Sequence, residues 1–374
     1  MRKMFGWAFV GLVISGGFRS DLAFQAQEYY PIPVSQGTNR SKDTPGGGEA
    51  CRDAACDVLE VEDEELIKYS YLSRDVENLS ANFSPTRREA LVFPPSQTLL
   101  SDTQNVTVSE SMSSAADEIE QFQQVMEWAI VQHLHEQSMA DIIQAIAHQF
   151  LGTPYKAGLL DQSAEETLVV TLQEFDCVLF VETVLAIART IARQDYSYPT
   201  FVTHIQDQRY QNGQLHGYCS RLHYFSAWIH DNQKRGTVTN ITQALGGIPL
   251  NKRLNFMSTH RHRYPQLVNN QANYHCILEM EAQLNAVSLE YIPTDQVHHS
   301  YNQLQSGDII GIATNIAGLD VTHTGFIYRQ SDGGIRLIHA SPAGAVTISS
   351  DLQQYVGNIK NAIGILVVRP NDLR

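Results

Sequence analysis

Three residues in this chain have the types and settings that nucleophilic catalysis needs. Cys177, in Phe175-Asp176-Cys177, opens an almost wholly apolar run. At the first turn of a helix the partial positive charge of the backbone amides favours a thiolate and lowers the thiol pKa. Asp176 suits the N-cap of that helix, although its own charge opposes the thiolate. A thiolate nucleophile needs a base, and the base needs an orienting partner. The chain has 14 histidines, so placement has to choose among them. His323, in Asp320-Val321-Thr322-His323-Thr324-Gly325-Phe326, opens a predicted strand; His339, in Leu337-Ile338-His339-Ala340-Ser341, lies on the next. Each residue also has a plainer reading, Cys177 as a small core side chain and the histidines as strand packing.

Side-chain parity makes the histidine pairing definite. A turn centred on Asp332 sets His323 opposite Ser341 and His339 opposite Gly325, so the imidazoles share a face as diagonal neighbours, about 7 to 8 Å apart at the backbone. A two-residue turn centred between Asp332 and Gly333 sends them to opposite faces. The sequence leaves both turns open.

The elements that must hold these groups can be read from periodicity. Ile119, Phe122, Met126, Ala129, Ile130 and His133 recur at helical spacing from Ser114 onward, with Asp117 and Glu118 in the expected first turn. A second helix is predicted over Met139 to Phe150, broken by Leu151-Gly152-Thr153-Pro154-Tyr155. Cys177 to Ala192 is too long and too apolar for a strand and predicts a buried helix. Residues 308–314, 322–329, 335–341, 345–348 and 362–369 are short, β-rich and divided by turn residues. Helices first and strands later indicate an α+β domain.

The N-terminal part reads differently. Arg2 and Lys3 precede an apolar stretch from Met4 to Gly17, the pattern of a signal peptide, with cleavage expected near Ala26. Residues 27–113 are polar and acidic, cannot bury enough apolar surface to offset their ordering entropy, and are expected to form a disordered linker. Cys51 and Cys56 lie within it, at a spacing compatible with a local disulfide or with none. The domain is then 114–374. Five cysteines is an odd number, so in an exported chain one thiol lacks an internal partner. Among 374 residues, 40 are acidic and 26 basic, a net charge of -14 that repels nucleic acid and anionic membrane surfaces, although much of the excess sits between Asp53 and Glu65. With 43% hydrophobic and 18% charged residues the chain is not a multi-span membrane protein, and none of it is expected to span a membrane after processing.

Leu151-Gly152-Thr153-Pro154-Tyr155, Phe175-Asp176-Cys177, Thr322-His323-Thr324-Gly325 and Ile338-His339-Ala340-Ser341, in that order, resemble the NlpC/P60 superfamily of papain-like cysteine peptidases and amidases. More narrowly, Glu174-Phe175-Asp176-Cys177, Ser220-Arg221-Leu222-His223-Tyr224-Phe225, Asn255-Phe256-Met257-Ser258 and Gly318-Leu319-Asp320 resemble its N-acetylmuramoyl-L-alanine amidase-like branch, DUF1460. The resemblance covers about Ser114 to Arg374. It implies a papain-like fold with N-terminal helices packed on a C-terminal antiparallel sheet, and a cysteine amidase acting on peptidoglycan or muropeptides. By it Cys177 is the nucleophile, His323 the base, His339 the orienting third member, and Tyr155 the tyrosine beside the nucleophile. Neither metal nor organic cofactor is implied.

Within Arg209 to Trp228, the residues Arg209, Arg221, His223, Tyr224 and Trp228 suit a pocket for a peptide carboxylate and a sugar ring, because guanidinium binds carboxylate bidentately. An amphipathic helix with Tyr224, Phe225 and Trp228 in the core explains the same pattern equally well. Asn255, Ser258 and Asp320 complete the expected binding residues, while His260, His262, His298 and His299 are expected on exposed loops. Cys219 and Cys276 are candidates for a disulfide, which would leave Cys177 free. The expected location is the periplasm or cell envelope. The competing functions are a stem-peptide endopeptidase and a catalytically inactive wall-binding module; a zinc hydrolase lacks an HExxH or comparable spacing.

Overall fold

The computed structural model describes residues 105–372. The signal segment, most of the linker, and Cys51 and Cys56 lie outside them.

The first helix, α1 (Asn105–Val131), begins ahead of the boundary that composition placed near Ser113. A polar stretch carries no apolar spacing by which its helical form could be read. Asp117 and Glu118 therefore lie inside α1 and not in its first turn. Phe122, Met126 and Ala129 face the core, Ile119 and Ile130 are exposed, and His133 lies past the helix at φ 53°. Glu118 instead accepts the Leu172 N–H at 2.6 Å and the Thr171 hydroxyl at 3.0 Å, pinning the segment that leads to Cys177.

Helix α2 (Met139–Gln149) starts where the Ser138 hydroxyl accepts the Asp141 N–H, and it buries Ile142, Ile143 and Ile146. Helix α3 (Cys177–Ala192) is capped by Asp176 and buried over all but its first two residues. Each large aliphatic side chain so buried contributes roughly 1.5 to 3 kcal/mol, which fixes this helix in the centre of the domain. Helices α4 (Tyr198–Arg209) and α5 (Phe225–Lys234) flank it. Strands β1 (Val238–Asn240) and β2 (Ile248–Pro249), the short α6 (Phe256–Thr259) and α7 (Pro265–Val268), helix α8 (Gln271–Leu284) and strand β3 (Glu290–Pro293) follow.

The last third supplies β4 (Ile309–Thr314), β5 (Val321–Arg329), β6 (Ile335–Ala340), β7 (Val346–Asp351), α9 (Leu352–Asn358) and β8 (Ala362–Pro370). All five strands expected there are present; α9 and the two- to four-residue strands β1 to β3, too short to show a period, were not anticipated. The sheet runs β2-β3-β8-β4-β5-β6-β7, with β1 also paired to β8, and every pairing is antiparallel. The domain is α+β.

Alternation along the strands gives the sheet two faces. Phe326, Ile338 and Ala340 pack with α2 and α3 in the main core. Ile327 and Leu337, one residue out of phase, pack with Leu352 and Val356 of α9 on the other side. A third cluster, with Tyr224, Leu254, Met257 and Ile277, holds the middle segment, where Cys219 and Cys276 are joined by a disulfide. Among the described residues no helix is long and apolar enough to cross a membrane.

Candidate active site

Cys177 takes its place from the N-terminus of α3. The Asp176 carboxylate accepts the Val178 and Leu179 N–H groups at 3.0 and 2.8 Å, so the helix starts at the cysteine. Tyr155 and Phe175 are linked by an isolated parallel bridge, and Tyr155 donates its N–H to the Gly344 carbonyl at 2.8 Å. That stitching ties the Pro154-Tyr155 turn to both the Cys177 segment and the end of the sheet.

The β5–β6 ladder pairs Phe326 with Ile338 and Arg329 with Ile335, so the turn is centred on Asp332. By the parity set out above, His323 and His339 then share a face. They do: His323 Nε2 and His339 Nδ1 are 2.7 Å apart, with the rings nearly perpendicular. Gly325 makes room for this. A Cβ there would come within 2.8 Å of the His339 Cβ and 2.7 Å of the Ile338 carbonyl oxygen.

The same ladder explains how the sulfur meets the strand. Ile327 donates its N–H to the Asp308 carbonyl and accepts the Gly307 N–H, both just ahead of β4, so the residues of β5 alternating with it point their N–H groups toward β6. Thr324 is one of these, and it lies just beyond Phe326, where the β6 pairing has ended. Its N–H is turned to the Cys177 sulfur instead. Tyr155 and Tyr355 both lie close enough to feel charge on that sulfur. Among the described residues Cys177 is the free cysteine.

Electrostatics overturn one expectation. The thiol is pushed up to about 12, first by burial and then by the Asp176 carboxylate; the Thr324 and α3 amides oppose this but do not prevail. Burial lowers His323 to about 4, and burial with the neighbouring His323 holds His339 well below the usual histidine range. Burial disfavours whichever form is charged, so it raises an acid and lowers a base. The helix start therefore holds a neutral thiol beside neutral imidazoles. Alkylation of Cys177 by iodoacetamide, followed on its own peptide, should accelerate about tenfold per pH unit from pH 7 to 10 with no plateau. A rate already level at neutral pH would show a resting thiolate.

The chain resembles known proteins in sequence and fold. A family described as N-acetylmuramoyl-L-alanine amidase-like, or AmiA-like, matches residues 145–365. The chain belongs to this amidase-like family. An N-acetylmuramoyl-L-alanine amidase from Bacteroides uniformis is 30% identical with a TM-score of 0.58, the match covering 62% of this chain and 99% of that one. A Bacteroides fragilis structure with a provisional xylanase designation is 33% identical with a TM-score of 0.56, over 60% of this chain and 99% of the other. A Legionella pneumophila protein of the DUF1460 family, 24% identical with a TM-score of 0.53 over 69% and 96% of the two chains, shares the fold. No curated protein matches.

The residues expected to bind substrate are used in other ways in this member of the amidase-like family. Arg209 is buried, and its Nε donates to Glu182 of α3 at 2.6 Å. Arg221 is buried too, with Nη2 on Asp161 at 2.6 Å, Nη1 on the Leu160 carbonyl at 3.0 Å and Nε 3.5 Å from Glu166. Neither offers a free fork to a carboxylate, because each is needed to balance a buried acid. His223 bonds the Tyr218 carbonyl through Nε2 at 2.8 Å and packs on the Tyr218 ring. The Tyr224 hydroxyl donates to Glu281 at 2.7 Å, Trp228 stacks on Phe225, and both are core residues, as the amphipathic-helix reading had it.

Asn255 and Ser258 shape the short α6: Ser258 donates its hydroxyl to the Asn255 carbonyl, and Gly318 packs against the Asn255 side chain so closely that a Cβ there would meet Oδ1 at 2.6 Å. Asp320 is buried, accepts the Ser226 N–H at 2.7 Å, and thereby caps α5 from a distant loop. Of the histidines expected on exposed loops, His262, His298 and His299 are exposed and His260 is half-buried, bonded to the Phe256 carbonyl. The structure thus gathers Tyr155, Cys177, His323 and His339, and disperses the rest. Thr324, Tyr355 and Glu182 were not singled out beforehand. A lone carboxylate within the apolar run 177–192 was the available signal for Glu182, since a buried acid needs a buried cation.

Proposed function

We propose that the protein is a papain-like cysteine amidase of the NlpC/P60 superfamily that cleaves the bond joining the muramic lactyl group to L-alanine in peptidoglycan or its fragments. The observation that carries this is the 2.7 Å contact from His323 Nε2 to His339 Nδ1 on the strand whose Thr324 N–H meets Cys177. With Nε2 engaged by His339, His323 has Nδ1 left for the thiol. As substrate enters, Nδ1 takes the thiol proton while sulfur attacks the amide carbon, and the imidazolium that forms then protonates the leaving nitrogen. Water completes the cycle by releasing the acyl group from sulfur, with His323 again the base. Asp176 takes the Val178 and Leu179 amides, so the Cys177 N–H is the donor of that turn offered to the developing oxyanion. A neutral thiol and imidazole suit this concerted transfer, because no resting ion pair has to be discharged.

Membership of the amidase-like family supports the choice of bond. A glycosidase, the reading borne by one similar structure, needs two carboxyl groups across the scissile bond. The carboxylate next to Cys177 is Asp176, and it is held by helix amides. Export to the periplasm or envelope is part of the proposal, and the Cys219–Cys276 disulfide supports it. Incubation with a defined muropeptide should yield free sugar and an intact stem peptide beginning with L-alanine, read by mass spectrometry. A product in which the sugar keeps its first residues would make the protein an endopeptidase.

A further inference from the structure

His339 is 1% exposed, yet its strand β6 is near the end of the sheet and stops at the next residue. What covers it is α9. The ring of Tyr355, from the middle of that helix, lies on the His339 imidazole with centroids 4.9 Å apart and planes tilted by 47°. Tyr355 itself is half-buried and packs on the second core with Leu352 and Val356 of the same helix. His323 and His339 share strand parity with Ile327 and Leu337, the residues that pack against α9. The titratable group that packs on the histidine pair is Tyr355 from α9, which also feels charge on the Cys177 sulfur, while β7 sets Thr347 opposite His339.

We propose that Tyr355 is a positioning residue of this centre, its ring closing the face of His339 and keeping water from the His323–His339 hydrogen bond. A hydrogen bond in a site that excludes water is stronger and better aligned than one that water competes for. The ring therefore fixes the rotation of His339, and through it which nitrogen His323 turns toward the sulfur. Burial also accounts for both imidazoles staying neutral well below the usual histidine range, and the Tyr355 ring is part of that burial. The phenol stays protonated, its pKa raised by burial and by the nearby sulfur, so the side chain adds no charge to the pair.

The inference rests on the proposed role of the histidine pair, and the test separates the two. Full-length protein carrying Tyr355→Phe or Tyr355→Ala is compared with the unaltered chain in two readouts. One is the pH titration of carbon-13-labelled histidine, with His323 assigned from His323→Ala; the other is the pH profile of kcat/KM on a muropeptide. The Ala variant should move the His323 titration upward toward 6.5 and shift the acid limb of the profile the same way, with kcat lower by up to about a hundredfold and KM little changed. The Phe variant should keep the titration and most of the rate. If Phe is damaged as much as Ala, the hydroxyl and not the ring is at work, and the proposal fails. It fails equally if Ala leaves the titration unmoved while near-ultraviolet circular dichroism shows native packing. An unaltered protein with no amidase activity would refute the proposed function, and the titration would still decide on Tyr355.

Discussion

His323→Ala should lower turnover by a factor of about 10⁴ or more, whereas His339→Asn should retain a measurable fraction. In the proposed mechanism His323 is the general base, whose loss leaves only binding and oxyanion contacts, and removal of one member of such a unit costs nearly as much as removal of all. An amide at 339 can still bond to His323 Nε2 and hold the ring, so the second substitution loosens the base without deleting it. Initial rates on one muropeptide measure both, and equal losses would mean that the third member does more than orient. The fold should not suffer from His323→Ala. His323 is held at about 4 against 6.5 in an unfolded chain, so the unfolded state binds the proton first. Its contribution to stability is complete above pH 6.5 and is lost as pH falls toward 4; the alanine variant lacks that loss and should tolerate mild acid better.

The largest effect on stability should come from a buried ion pair whose charges are felt by Asp176, the cap of the Cys177 helix. Glu182 and Arg209, exposed by 1% and 2%, face each other at 2.6 Å, with the Trp228 indole beside the carboxylate and Gln208 on the Glu182 carbonyl. Glu182→Ala strands a guanidinium in the core and should cost about 3 to 5 kcal/mol. Adding Arg209→Met to it should recover most of that, because two apolar groups of similar volume leave no buried charge. Urea denaturation of the single and double variants checks this. A single variant within 1 kcal/mol of the parent, a threshold of roughly the size of an ordinary surface change, would mean that water reaches the arginine.

The parts of the molecule that were legible in its sequence are those governed by period and parity. The helix from Cys177, the five C-terminal strands and the two possible hairpin registers all follow from spacing, and the structure had only to choose the turn centred on Asp332. The arginines were misjudged for a reason equally physical. Residue type states what Arg209 and Arg221 can bind, and the nearest acid decides what they do bind; Glu182, Asp161 and Glu166 are nearest only once α3, α4 and the 160–167 segment have packed. Charge gave the same lesson at Cys177. The amides of α3 and the opposing charge of Asp176 were both read from the sequence, but burial is not visible in a local pattern, and it is burial, with Asp176, that outweighs the amides. Tyr355 carries no motif, because its importance comes from the fold of α9 over the end of β6.

The disulfide between Cys219 and Cys276 gives the chain two sulfur chemistries that make opposite demands. It closes a loop with a sequence separation of 57 residues, and a chain-entropy argument values such a link at about 4 kcal/mol. A working thiol at Cys177 has to stay reduced, since each step of oxidation past the sulfenic acid is harder to undo. Reductant sufficient to guard the one sulfur attacks the other two. The redox window in which the protein keeps both is therefore bounded on each side, below by reduction of the bridge and above by oxidation of Cys177.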